Sequence, residues 1–190
     1  MTTHDRSDAW DLLCEYTQTD GLRKHGLAVE AVMRSFARKH GADEEVWGMT
    51  GLLHDFDYER WPTSDGHPYE GNKILAERGC PEEIRTAIMG HAEYTGVARE
   101  TPMAKTLFAA DELTGFVTAV ALVRPNKSVF DVEPASVRKK MKDKAFARQV
   151  NRDDIINGAA QLGVDLDAFV GEVIEALRAN AGVLGLRGTA

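Results

Sequence analysis

The sequence predicts an all-α fold, a compact multi-helix bundle, and three observations carry that prediction. Apolar residues recur at helical rather than alternating spacing, as in Leu22, Val29, Val32, Met33 and Phe36. Capping residues or prolines stand at the entries to most of these stripes. No alternating strand pattern, internal repeat, low-complexity segment or interdomain linker stands out, so one domain over residues 1–190 is expected.

The elements follow in order. Asp8 to Thr17 reads as a short helix, and Gly21 interrupts before a long one from Leu22 to about Lys39. Gly41 suits a left-handed stop, and Arg38, Lys39 and His40 complement the helix C-terminus. Asp43 can cap the next helix, whose buried side is Val46, Trp47, Met49 and Leu53. His54 lies at the edge of that arc and Asp55 points away from it, so the helix is expected to end or bend there. Residues 57–66 (DYERWPTSDG) carry the composition of a loop. His67-Pro68 then makes His67 the expected N-cap of a helix through Glu77. Cys80-Pro81 and Thr101-Pro102 repeat that entry for a helix bearing His91 and another bearing Asp111, which runs to about Val123. Arg124-Pro125-Asn126 breaks it. Three further helices are expected over residues 134–147, 151–162 and 165–180, the last two capped by Asn151 and Asp165. The tail GVLGLRGTA is expected to fray.

Composition excludes several classes. A formal charge of −7 gives no electrostatic footprint for a nucleic-acid polymer or an anionic membrane. The longest nearly unbroken apolar run, Phe116 to Val123, is too short to span a bilayer. The polar start MTTHDRSD lacks a signal peptide's apolar region, and Cys14 and Cys80 form no CxxC motif or disulfide framework. A reduced, cytoplasmic setting is the expectation.

Chemistry concentrates elsewhere. Placed at about 100° per residue, His25 falls inside the stripe of the long second helix, and His91 falls on Ile84, Ala87 and Ile88. Asp111 shares a face with Met103, Leu107, Thr114 and Thr118. One histidine on an apolar face is usually a core residue bonded to a carbonyl. Several imidazoles and a carboxylate turned inward from separate helices need something to satisfy them. A metal ion does so, and histidine with aspartate is a common ligand mixture.

The ordered set is His25 in LRKHGLAVEAVM, His54-Asp55 in GLLHDFDYE, His67 in GHPYEGNKIL, His91 in IMGHAEYTG and Asp111 in LFAADELTG. This order, H…HD…H…H…D over residues 22–115, resembles the HD-domain superfamily of metal-dependent phosphohydrolases. The resemblance implies a multi-helix HD-domain bundle with its ligand core at about 22–123 and C-terminal helices at about 134–180. It implies that His25, His54, Asp55 and Asp111 hold one metal, and that Asp55 bridges to a second held by His67 and His91. A plain helix cap for His67 and an ordinary buried imidazole for His91 are the bland alternatives. Four imidazoles favour Mn, Fe, Co, Ni or Zn over Mg, which prefers oxygen shells.

The implied activity is hydrolysis of a small phosphorylated metabolite or nucleotide by a metal-activated hydroxide, with His54 and Asp55 at the catalytic centre. Two other readings stand beside it: a mixed-valent di-iron oxygenase of HD type, and a catalytically silent metal-binding regulatory module. Phe56-Asp57 stands where some relatives have Ile-Gly; Asp57 could assist proton transfer, but a solvated loop acid is the favoured reading. The residues after His91 lack the Gly-Tyr-Pro signature of relatives that cleave cyclic dinucleotides. Lys105, Lys140 and Lys142 are candidate contacts for substrate phosphate, although a charged run such as Arg138 to Arg148 is usually a solvated face. Trp47, Trp61 and Tyr69 are expected to pack rather than to stack a base. His4 and His40 need no role.

Overall fold

A computed structural model describes residues 5–189. The protein is all-α, with no strand among the described residues. The helices are α1 (Arg6–Tyr16), α2 (Asp20–His40), α3 (Glu44–Leu53), α4 (Tyr69–Glu77), α5 (Glu82–His91), α6 (Pro102–Leu122), α7 (Pro134–Met141), α8 (Arg152–Leu162), α9 (Leu166–Ala179) and α10 (Ala181–Leu184). None among the described residues is long and apolar enough to cross a membrane. The chain divides into two compact units, one up to Phe108 and one from Ala109 onward, and the division falls inside α6.

In the first unit α2 and α3 pack closely because small residues stand where they meet. A Cβ on Gly51 would lie 2.8 Å from Met33 Cγ and 2.9 Å from the Val29 carbonyl, and one on Gly26 would lie 3.0 Å from the Leu52 carbonyl. The apolar stripe of α2 buries Val29, Val32, Met33 and Phe36 as its spacing requires. Gly41 takes the left-handed conformation (φ 61°) and its amide closes on the carbonyls of Ala37 and Arg38. Asp43 caps α3 by accepting from the amides of Glu45 and Val46. Glu30, buried at 4% exposure, accepts from the guanidinium groups of both Arg6 and Arg34, so its charge is fully paired.

The second unit corrects two expectations. The helix from Pro134 ends at Met141, not near Ala147. Asp143 turns the chain by accepting from the amides of Ala145 and Phe146, and the Arg152 guanidinium gathers the carbonyls of Phe146, Ala147 and Val150. These local side-chain bonds offer the backbone an alternative to helix. The C-terminal segment does not fray either. Leu186 is buried, its carbonyl accepts from the Val129 amide at 2.9 Å, and the Thr189 amide donates to Asn126 at 2.8 Å.

Candidate metal centre

The site grows from the end of α3. That helix stops at Leu53 with His54 as its C-cap, as expected, and a run of tight turns follows. The amides of Phe56 and Tyr58 fold back onto the carbonyls of Leu53 and Asp55. Side chains then fasten the turn to the α1–α2 junction. Thr17 donates to the Phe56 carbonyl at 2.9 Å, Glu59 accepts from the amides of Gln18 and Thr19, and Arg60 donates to the Glu15 carbonyl. Tyr16 packs edge-on against Phe56 with ring centroids 5.4 Å apart. Asp55 is thus carried on backbone fixed from both sides.

Four imidazoles surround this carboxylate, in two pairs. Asp55 Oδ2 lies 3.4 Å from His54 Nε2 and 3.8 Å from His25 Nε2, and those two nitrogens are 3.2 Å apart. Asp55 Oδ1 lies 3.2 Å from His67 Nε2 and 3.3 Å from His91 Nε2, which are likewise 3.2 Å apart. His54, His67 and His91 are buried, while His25 and Asp55 are half-buried. Donor atoms of Asp55, His67 and His91 lie within 4.8 Å of one another, as do those of His25, His54 and Asp55.

Hydrogen bonds on the far side of the rings decide what the near side offers. His54 Nδ1 donates to the Gly51 carbonyl at 2.7 Å, and His91 Nδ1 donates to the Ile88 carbonyl. A carbonyl can only accept, so each Nδ1 carries the proton and each neutral Nε2 presents a lone pair. Lone pairs so close to one another and to a carboxylate repel unless a cation lies among them. The donor set therefore fits divalent transition metals, for which imidazole and carboxylate are ordinary ligands. Burial opposes the charge of Asp55, but when no metal takes the Nε2 lone pairs, protons on His54, His67 and His91 outweigh it and hold this carboxyl well below its usual range. Burial also opposes a charge on His67, yet Asp55 and Asp57 raise its pKa to about 9, so a proton occupies it at neutral pH when no metal does.

Residues 22–115 match the family model described as HD domain. The chain carries an HD domain. HD domains bind divalent metals and are in general phosphohydrolases, though not all are. No curated protein and no solved structure matches the chain. The matched span of the HD domain begins in α2 and ends in α6, and it includes all six residues of the motif. Asp111 lies on α6, past the division between the units.

Two expectations for residues near the site are corrected. His67 does not cap α4; Pro68 occupies that position, and His67 is buried one residue earlier with its ring turned toward Asp55 and Asp57. Asp57 is no solvated loop acid, being 1% exposed with both oxygens hydrogen bonded. No local signal marks this, because the partners of Asp57 stand 10 and 14 residues further along, at His67 and Gly71. Tyr58 and Tyr94, not singled out above, flank His67: the Tyr58 ring stands edge-on to the imidazole at 5.3 Å, and the Tyr94 hydroxyl donates to the His67 carbonyl at 2.8 Å.

The remaining candidates sit as follows. Lys105 is half-buried on the first turn of α6. In the second unit Lys140 pairs with Asp143 at 3.6 Å and lies over the Phe146 ring, and Lys142 is exposed. Trp47 is buried beside His40, and Trp61 packs against Tyr16. His4 lies outside the described residues.

Proposed function

We propose that the protein is a phosphohydrolase acting on a small phosphorylated metabolite or nucleotide at a binuclear metal centre. One observation carries the two-ion reading: the two oxygens of Asp55 face separate imidazole pairs, His25–His54 and His67–His91. A carboxylate presented in this way suits two cations about 3.5–4 Å apart, the spacing common to two-metal hydrolases. On this reading Asp55 belongs to both sets. Divalent ions held there would acidify water toward neutral pH and neutralise charge on the phosphoryl oxygens.

The chain's own residues fix where these ions sit and keep the imidazoles in the ligating tautomer. His54 and His91 are held by carbonyls of residues in their own helices, Gly51 and Ile88. Lys105 is the proposed cationic contact for substrate phosphate. Replacing it with Ala would raise KM in a salt-sensitive way while metal content stays unchanged.

The test is a panel of phosphomonoesters and nucleotides, assayed under anaerobic conditions with Mn-loaded protein in ¹⁸O-labelled water. The expected result is inorganic phosphate carrying one labelled oxygen. Turnover that requires iron and O₂, with no phosphate from any compound tried, would replace hydrolysis with the oxygenase reading. Metal binding without turnover of either kind would leave the regulatory module.

A further inference from the structure

We infer that Asp57 is a positioning residue: with the Gly71 amide it fixes the ring and tautomer of His67, and so gives the second metal position its affinity. The inference rests on the two-ion reading above.

His54 and His91 obtain their Nδ1 partners from the carbonyls three residues earlier in their own helices, Gly51 and Ile88. His67 has no such carbonyl, because it lies on the non-helical segment ahead of α4. A side chain takes that place. Asp57 Oδ1 lies 2.7 Å from His67 Nδ1, and Asp57 Oδ2 accepts from the Gly71 amide at 2.8 Å. An ionised carboxylate only accepts, so the proton stays on Nδ1 and the Nε2 lone pair faces Asp55 Oδ1 and His91 Nε2.

Gly71 is part of the device. A Cβ there would lie 2.7 Å from both Cγ and Oδ2 of Asp57 and 3.0 Å from the Phe56 ring, so a side chain would push the carboxylate off the amide. The pairing also requires aspartate chemically. Asparagine is nearly the same size but has only one accepting atom. With its oxygen on the Gly71 amide, its NH₂ meets His67 Nδ1 and drives the proton to Nε2, where it blocks a metal. With its oxygen on His67, its NH₂ meets the Gly71 N–H, donor against donor.

The experiment is Mn²⁺ titration of wild type and Asp57→Asn by calorimetry and equilibrium dialysis, with low-temperature EPR of the loaded proteins. Wild type is expected to bind two ions per chain and to give the spectrum of an exchange-coupled pair. Asp57→Asn is expected to keep the first ion at wild-type affinity and to bind the second about 10–100-fold more weakly, with an isolated-ion spectrum. The retained first ion reports an intact fold, which a merely structural role for Asp57 would not separate from the second. Should Asp57→Asn fail to fold, Gly71→Ala decides by the same criterion, since it displaces the carboxylate without changing any charge. Two ions at unchanged affinity in a folded variant would overturn the inference. A wild type that never exceeds one ion would overturn the two-ion reading and the inference with it, a failure already visible before any substitution.

Discussion

Asp55→Ala is expected to lose nearly all bound metal and to lower kcat/KM by well over the roughly 10–100-fold typical of losing a group that merely holds a ligand histidine. Asp55 is within reach of all four imidazoles: its Oδ2 faces His25 and His54, and its Oδ1 faces His67 and His91. Among the described residues it is the carboxylate that both pairs share, so its loss weakens both positions at once. His67→Ala or His91→Ala leaves the His25–His54 side intact and is expected to be milder, lowering metal content from about two ions toward one on the two-metal argument. Elemental analysis of purified protein together with steady-state kinetics checks both. Full metal content and normal turnover in Asp55→Ala would contradict the assignment.

Gly51→Ala is expected to destabilise the protein by about 2–3 kcal/mol, the upper part of the range for forcing extra volume into a packed interior. The added Cβ would lie 2.8 Å from Met33 Cγ, 2.9 Å from the Val29 carbonyl and 3.0 Å from the Glu30 amide. Two of these are backbone atoms of α2, so relief requires α2 and α3 to separate and not a single rotamer to change. The Gly51 carbonyl also holds His54 Nδ1, so the displacement reaches the metal centre. For a chain of this size the loss corresponds to a fall in Tm of roughly 4–12 °C. Gly21→Ala is the control: its nearest neighbour is Thr19 Cγ2 at 4.0 Å, and its Tm is expected to stay or rise slightly. Equal melting of the two variants would show that the close crossing of α2 and α3 does not matter.

Much of the fold was legible because its cues are local. The stripe on α2, the left-handed Gly41, the Asp43 cap and the stop near His54 each depend on residues within a turn or two. The proline entries to α5 and α6 were legible for the same reason. One failed expectation turns on local side-chain bonds of Asp143 and Arg152 that compete with the helix after α7, and the other on partners far along the chain, Val129 and Asn126, which hold the C-terminal segment.

The candidate centre divides the same way. His25 and His91 could be placed from helical phase; His54 lay at the edge of its arc, and Asp55, which phase pointed away, entered the set through the resemblance. His67 and Asp57 could not be placed in this way, because each lies on non-helical backbone and is held by side chains and amides ten or more residues away. A histidine directly before Pro68 reads locally as a cap, and an acid after Phe56 reads locally as solvated. Tertiary hydrogen bonding reverses both readings.

Anomalous diffraction from crystals grown with excess Mn²⁺ tests the two-ion centre most directly. The account predicts two peaks about 3.5–4 Å apart, one beside His25 and His54, the other beside His67 and His91, with Asp55 between them. A single peak at saturating metal, or none within coordination distance of Asp55, would contradict it.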